Sequence, residues 1–242
     1  MTSPNYEALV AATRETLNRI SGDFTPAVFA SSLAAEDMVL TDLILRAKLP
    51  ITIFTLETGR LHKETLAMVD RIRETYGYDV KLFKPEVQAI EAYVQQHGLN
   101  AFYDSVEMRK ECCRIRKVEP LKRALFGNKA WITGQRRAQS TTRAELAVQE
   151  DDAAHDMVKF NPLTDWSEDD VWHYIRSNKV PYNALHDKGY PSIGCEPCTR
   201  AIQPGEDVRA GRWWWESADT KECGLHLVDG KLIRIKSVAE AQ

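Results

Sequence analysis

The 242-residue sequence has no long hydrophobic run and no excess of charge of one sign. Its apolar stretches are far shorter than the roughly 20 residues of a membrane-spanning helix. The start, residues 1–12, lacks the basic region and apolar core of a targeting signal. A formal net charge of −3 gives no electrostatic footprint for nucleic acid or an anionic membrane. We therefore expect a cytoplasmic protein that binds neither nucleic acid nor membrane.

Cysteine is scarce, with five in the whole chain. An odd number of cysteines in a cytosolic chain argues against a disulfide framework and favours metal binding or thiol chemistry.

Hydrophobic residues make up 43% of the chain and charged residues 28%, so the chain can bury a core.

Segments of strand and helix character alternate along the first 160 residues. Predicted strands cover residues 27–30, 51–56, 80–83, 130–134 and 157–160, and predicted helices cover residues 4–20, 36–47, 62–76, 87–96 and 108–125. The alternation indicates an α/β fold with a mostly parallel sheet and helices on both faces. We expect a single domain over residues 1–242, with an irregular C-terminal segment (about 205–242) folded back towards the site.

Polar residues follow three of the predicted strands. They are Ser31-Ser32, Glu57-Thr58-Gly59 and the stretch 134–137. Because ligands of such sheets bind beyond the carboxyl ends of the strands, these residues should line one crevice.

Arginines are grouped near two of the predicted loops. Arg136, Arg137 and Arg143 follow the fourth strand, and Arg209 and Arg212 precede the C-terminal end. The planar guanidinium suits phosphate and sulfate oxygens, so the grouping favours an anionic nucleotide over simple surface charge.

Four of the cysteines form two tight pairs, Cys112-Cys113 and Cys195-x-x-Cys198. Four thiolates can hold a structural zinc ion or a 4Fe–4S cluster. Adjacent cysteines suit a cluster better than zinc, because the iron corners of a cluster are separate and neighbouring cysteines can bind different irons. The alternatives are a thioredoxin-type cysteine pair and unrelated buried thiols. Lys117 would share a helix face with Cys113 and offset the cluster's charge, unless it is a solvated surface lysine.

The fifth cysteine, Cys223, lies in a polar stretch near the end of the chain. Lys221 and His226 could lower its pKa and favour the reactive thiolate; an inert tail cysteine is the alternative. The residues Trp213-Trp214-Trp215 could stack on an adenine, but packing of the C-terminal segment is the favoured use. The other histidines show no ligand spacing and are assigned no role.

These motifs resemble those of adenylyl-sulfate (APS) and phosphoadenylyl-sulfate (PAPS) reductases. The stretch KECGLH at 221–226 is similar to the signature around the catalytic cysteine of that family. With ECC at 111–113 and GCEPCTR at 194–200, it resembles the iron–sulfur branch, the APS reductases. Further similar stretches lie at 56–65, 133–140, 159–172 and 211–216, so the resemblance covers nearly the whole chain from about residue 25.

The resemblance implies an adenine-nucleotide α-hydrolase-like fold and a homo-oligomer. It implies that Cys223 attacks the sulfur of APS, releasing AMP and leaving an S-sulfonate from which thioredoxin releases sulfite. His226 would lie beside this cysteine, and Lys117 would link the active site to one 4Fe–4S cluster. The implied cluster ligands are Cys112, Cys113, Cys195 and Cys198, and the implied substrate-binding residues are Ser31, Ser32, Thr58, Gly59, Arg60, Arg143, Arg209 and Arg212.

The sequence departs from the family pattern at two positions. Ala34 stands where a glycine is usual, and Ala138 stands where an aspartate is expected.

PAPS reduction, alone or beside APS reduction, is one alternative activity. An RNA sulfur-transfer enzyme would need a glycine-rich pyrophosphate loop and a basic surface, which the sequence lacks. An iron–sulfur sensor without enzymatic activity is a further alternative, and the motif around Cys223 argues against it.

Overall fold

A computed structural model describes residues 2–139 and 143–217 of the chain. The α-helices are α1 (Tyr6–Asp23), α2 (Ala35–Arg46), α3 (Lys63–Tyr76), α4 (Val87–His97), α5 (Val106–Cys113), α6 (Glu119–Leu125) and α7 (Glu168–Asn178). The strands are β1 (Ala27–Ala30), β2 (Ile51–Leu56), β3 (Lys81–Phe83), β4 (Ala130–Ile132), β5 (Gln149–Asp152) and β6 (Met157–Phe160).

The strands form one sheet in the order β3-β2-β1-β4-β6-β5. The pairs are parallel except β5 with β6, which are antiparallel. The predicted mostly parallel sheet is therefore confirmed. The strand order reverses between β1 and β4, and this switch point is where open α/β sheets bind ligands.

Helices cover both faces of the sheet, as predicted. Alternate residues of β1 point to opposite faces, so Phe29 joins the core under α1, α2, α3 and α7, while Val28 packs against α6. The strand residues Phe29, Ile53 and Ile132 are fully buried. The sheet, with helices packed on both of its faces, carries the loops at the carboxyl ends of the strands.

Three elements differ from the sequence-based expectation. Helix α1 continues through Gly22 to Asp23, because Leu17 and Ile20 on its inner face are buried in the core. Strand β5 was not predicted, since its sequence QEDD is charged; it pairs at the sheet edge, where charge is tolerated.

The third difference lies in the helix predicted over 108–125. A π-helical stretch, Arg114–Val118, separates α5 from α6. Pro120 lies in the first turn of α6, where its missing N–H and its ring do not disturb an α-helical hydrogen bond. The wider turn therefore adjusts the helix directly after the paired cysteines.

Among the described residues, no helix combines the length and the apolar character needed to cross a membrane.

Candidate active site

A cavity of about 260 Å³ opens at the carboxyl ends of β1, β2 and β4. We call it the strand-end cavity. Residues from all three predicted polar strand ends line it: Ser31, Ser32, Thr58, Gly134, Gln135 and Arg136. The prediction that these loops share one crevice is confirmed for these residues.

Asp37, in the first turn of α2, holds the loop after β1 in place. Its carboxylate accepts hydrogen bonds from the backbone N–H of Ser32 (2.6 Å) and from the Ser32 hydroxyl (2.5 Å). Burial raises the pKa of Asp37 to about 6, although these hydrogen bonds oppose the shift. A Cβ atom at Gly134 would lie 2.1 Å from Asp37 Oδ1, so only glycine allows the loop after β4 to approach α2 this closely.

The three arginines after β4 have different surroundings. Arg136 is buried and donates to Glu36 (2.8 Å) and to the carbonyl of Trp166 (3.2 Å). Arg137 pairs with Asp165 and does not line the strand-end cavity. Arg143 is half-buried on the wall of the strand-end cavity, where its Nη1 donates to Gln139 Oε1.

The four paired cysteines line one smaller cavity, the cysteine cavity. Cys113, Cys195 and Cys198 are buried and Cys112 is half-buried, and none is in a disulfide. Cys195 Sγ lies 3.3 Å from the hydroxyl of Thr58, a residue of the strand-end cavity. In the part of the chain that the structure describes, no group of three or more His, Cys, Asp or Glu side chains has the arrangement to hold a metal ion.

Cations surround the cysteine cavity. Burial raises the pKa of the Cys198 thiol to about 12, and the charges of Lys117 and Arg212 oppose the shift. Burial also raises the pKa of Cys112, while Arg116 lowers it. The cations thus offset part of the effect of burial and bring these cysteines nearer to the thiolate, the form in which cysteine binds metal.

The two cavities share a wall formed by Lys117, Arg212 and Trp213, which line both. The Arg212 guanidinium lies 4.6 Å from the Trp213 ring centroid and donates to the carbonyl of Ile193 (3.3 Å). A Cβ atom at Gly194 would lie 2.3 Å from Arg212 Nη2. Arg212 therefore occupies a slot between the Gly194 backbone and the Trp213 ring.

Trp213 also contacts the α5 residue Arg109. The Arg109 guanidinium lies 4.7 Å from the Trp213 centroid and donates to Glu216 through Nε (2.8 Å) and Nη2 (2.7 Å). Arg109 and Glu216 are both almost fully buried. The expected packing of the C-terminal segment is seen for Trp213, which is buried, and for Trp215, which contacts Tyr103 with ring centroids 4.4 Å apart, whereas Trp214 is exposed.

The structure brings most of the predicted site residues together. The strand-end cavity is lined by Ser31, Ser32, Thr58, Lys117, Arg143, Arg209 and Arg212. Gly59 and Arg60 are not among its lining residues. Arg60 lines the cysteine cavity instead and donates to Asn100 Oδ1 (3.0 Å). The predicted catalytic residues Cys223 and His226 lie outside the described residues.

Sequence reasoning missed residues that only tertiary folding brings to the cavity. His186, which was assigned no role, lines it and accepts a hydrogen bond through Nε2 from the backbone N–H of Ala35 (3.2 Å). Burial lowers the pKa of His186, consistent with a neutral acceptor. Ala34 also lines the cavity and has φ −85°, which any residue adopts, so alanine in place of glycine causes no backbone strain.

The sheet order, the cavity at its switch point and the helices on both faces define an α/β protein of the adenine-nucleotide α-hydrolase-like type. The NH3-dependent NAD synthetase of Campylobacter jejuni shares this fold, with a TM-score of 0.53, 13% identity, and coverage of 78% of this chain and 80% of that chain.

Residues 26–201 match the phosphoadenosine phosphosulfate reductase domain family, and the chain belongs to this family of oxidoreductases. A relative from Burkholderia cepacia named adenosine 5'-phosphosulfate reductase is 61% identical over 225 residues, 93% of this chain and 90% of the relative. The crystal structure of phosphoadenylyl-sulfate reductase from Candida auris, a phosphate complex, has a TM-score of 0.68 and 27% identity, covering 82% of this chain and 94% of that chain.

Proposed function

We propose that this protein reduces adenylyl sulfate to sulfite and AMP for sulfate assimilation, with thioredoxin as the electron donor. The observation that carries the proposal is the shared wall of Lys117, Arg212 and Trp213, which separates the four cysteines from the cation-lined strand-end cavity. The 61% identity to a relative named for the same substrate supports it.

The four cysteines do not converge on a single metal ion, but the donor chemistry of the cysteine cavity fits a 4Fe–4S cluster, whose iron corners are separate. Cys112, Cys113, Cys195 and Cys198 would be its ligands, and four thiolate donors around one cavity match the ligand set of such clusters. Arg109, Arg116, Lys117 and Arg212 line the same cavity and would offset the negative charge. When bound, the cluster would supply a structural link and a local electrostatic field, while the electrons come from an external dithiol.

The cations of the strand-end cavity have a defined task in this proposal. Arg143, Arg209 and Arg212 would bind the phosphosulfate, and their positive charge would stabilise the negative charge that builds on the departing phosphate. Ser31, Ser32 and Thr58, on the loops after β1 and β2, would contact the nucleotide.

The proposed nucleophile is the Cys223 thiolate, with His226 beside it. It would attack the sulfonyl sulfur, form a sulfur–sulfur bond and break the bond from sulfur to the phosphate oxygen, so that AMP leaves. A thioredoxin thiolate would then attack Cys223 Sγ and release sulfite, and its second thiol would resolve the mixed disulfide. The two electrons that reduce the sulfur come from the thioredoxin dithiol.

Sulfite release under anaerobic conditions with reduced thioredoxin tests this function, on adenylyl sulfate and on its 3'-phosphorylated relative in parallel. We expect turnover of adenylyl sulfate by the wild type. Cys223→Ser should retain the brown colour and release no sulfite, because the ligand cysteines are unchanged and the nucleophile is lost. Sulfite production by the serine variant would refute the mechanism.

The parallel assay also shows whether the protein accepts the 3'-phosphorylated relative of adenylyl sulfate. Ala34 lines the strand-end cavity, so its side chain bears on which nucleotides fit. Comparable turnover of both nucleotides would indicate dual activity. Turnover of neither nucleotide by a protein with an intact cluster would favour an iron–sulfur sensor.

A further inference from the structure

Glu36 joins the start of α2 to the loop after β4. Its Oε1 atom accepts from Arg136 Nε (3.0 Å), Arg136 Nη2 (2.8 Å) and Gln139 Nε2 (2.9 Å). Burial favours the neutral acid, but the charge and hydrogen bond of Arg136 outweigh it and hold the pKa of Glu36 below its ordinary value. Glu36 is therefore an ionised carboxylate that can only accept hydrogen bonds.

This acceptor fixes the orientation of the Gln139 amide. The amide NH₂ must face Glu36, so the carbonyl oxygen faces the opposite way. There Gln139 Oε1 accepts from the backbone N–H of Arg136 (3.1 Å) and from Arg143 Nη1. A flipped amide would place its NH₂ against these donors and its oxygen against the carboxylate.

The backbone that carries Arg143 is fixed by a second set of contacts. Arg137 Nε donates to the carbonyl of Leu146 (2.8 Å), and the Leu146 N–H donates to the carbonyl of Arg143 (3.0 Å). These bonds place the turn that carries Arg143 and do not involve its guanidinium. The hydrogen bond from Arg143 Nη1 to Gln139 Oε1 is a contact that orients the guanidinium itself.

We propose that Gln139, oriented by Glu36, is a positioning residue that directs the Arg143 guanidinium into the strand-end cavity and so sets the affinity for the anionic end of the nucleotide. All four residues of the chain from Arg136 through Glu36 and Gln139 to Arg143 line that cavity. The proposal rests on the proposed function, since it assigns Arg143 an anionic substrate group.

A double-mutant cycle with Gln139→Ala and Arg143→Ala tests this coupling. We expect Gln139→Ala to raise KM for adenylyl sulfate about tenfold with kcat within about twofold, the size of effect expected for a hydrogen bond to a charged group that orders substrate binding. The double variant should bind no more weakly than Arg143→Ala alone, because Gln139 acts through Arg143.

Gln149→Ala is the matched control. Gln149 also accepts a hydrogen bond from an arginine, Arg19 (2.8 Å), but on an exposed strand away from the cavity. This variant should keep the wild-type KM. Glu36→Gln should raise KM by a smaller factor, because a neutral amide at position 36 no longer fixes which way Gln139 points.

The outcomes separate the two proposals. A wild type that releases no sulfite from adenylyl sulfate refutes the proposed function before any variant is compared. If the wild type is active, a Gln139→Ala variant with unchanged KM, or additive losses in the double variant, overturns the positioning role alone. Urea unfolding of each variant identifies any loss that comes from a folding defect.

Discussion

Arg212 depends on its neighbour Gly194 for its place in the shared wall. We predict that Gly194→Ala weakens the binding of adenylyl sulfate by about tenfold or more, because a Cβ atom there would collide with the guanidinium 2.3 Å away. Isothermal titration with AMP and with adenylyl sulfate measures the effect, and the loss should be larger for the sulfate-bearing ligand.

Gly22→Ala is the control for this glycine substitution. A Cβ atom at Gly22 meets nothing within 4 Å, and the residue is exposed in α1. The control should keep the wild-type affinity and raise the free energy of unfolding by about 0.5–1 kcal/mol, since alanine favours a helix over glycine. Equal affinities for Gly194→Ala and the wild type would show that Arg212 does not contact the substrate.

At the residue scale, spacing alone predicted the four paired cysteines, which the structure places around one cavity. It could not predict Glu36 or His186, whose partners Arg136 and Ala35 are 100 and 151 residues away in the sequence. Such contacts form only in the folded chain, and no local sequence pattern around Glu36 or His186 predicts them.

At the scale of the element, α7 begins with a capping box. Ser167 Oγ accepts from the N–H of Asp170 (3.1 Å), and the Asp170 carboxylate accepts from the N–H of Ser167 (2.9 Å). The same carboxylate accepts from the N–H (2.8 Å) and the hydroxyl (2.6 Å) of Ser3, so it also fastens the residues before α1.

We predict that Asp170→Asn lowers the free energy of unfolding at pH 7 by about 1–2 kcal/mol, the usual range for a lost helix cap. Burial opposes ionisation, but the hydrogen bonds from Ser3 and Ser167 lower the pKa of Asp170 from 3.8 to about 2. A depressed pKa stabilises the fold above the unfolded pKa and loses that contribution as pH falls through the folded pKa. The difference between variant and wild type should therefore shrink between about pH 4 and pH 2.

Urea unfolding across this pH range measures the difference. Asp169→Asn is the control, because Asp169 is an exposed acid of the same helical turn. It should cost less at pH 7. A constant difference from pH 7 to pH 2 would mean that the Asp170 carboxylate is not the stabilising group.

Strands and helices with an apolar pattern were predicted well from sequence. The bounds of β1, β2 and β6 agree with the prediction to the residue. β5 escaped prediction because the edge pairing with β6, and no apolar alternation, makes it a strand. The π-helical stretch Arg114–Val118 escaped it because periodicity does not distinguish a single wide turn within a helix.

At the scale of the whole molecule, the four cysteines join distant parts of the chain. The α5 end and the loop around Cys195 are about 80 residues apart, so a shared cluster would close a long loop. We predict that Cys195→Ser lowers the iron content and lowers the thermal midpoint by about 5–10 °C, since binding of a structural metal group stabilises the fold.

Cys223→Ser is the matched control in this experiment, because it removes a cysteine outside the proposed ligand set. It should keep both the iron content and the midpoint of the wild type. Iron analysis and scanning calorimetry under anaerobic conditions compare the two variants. Full iron content in Cys195→Ser would contradict the assignment of that ligand.

The buried pair of Arg109 and Glu216 limits how far from it Cys223 can lie. Cys223 follows Glu216 by seven residues, and seven residues span at most about 25 Å even when fully extended. The covalent chain therefore keeps the proposed nucleophile within that distance of the buried pair. A thiol confined to this distance has a local concentration in the millimolar range whatever the dilution of the protein.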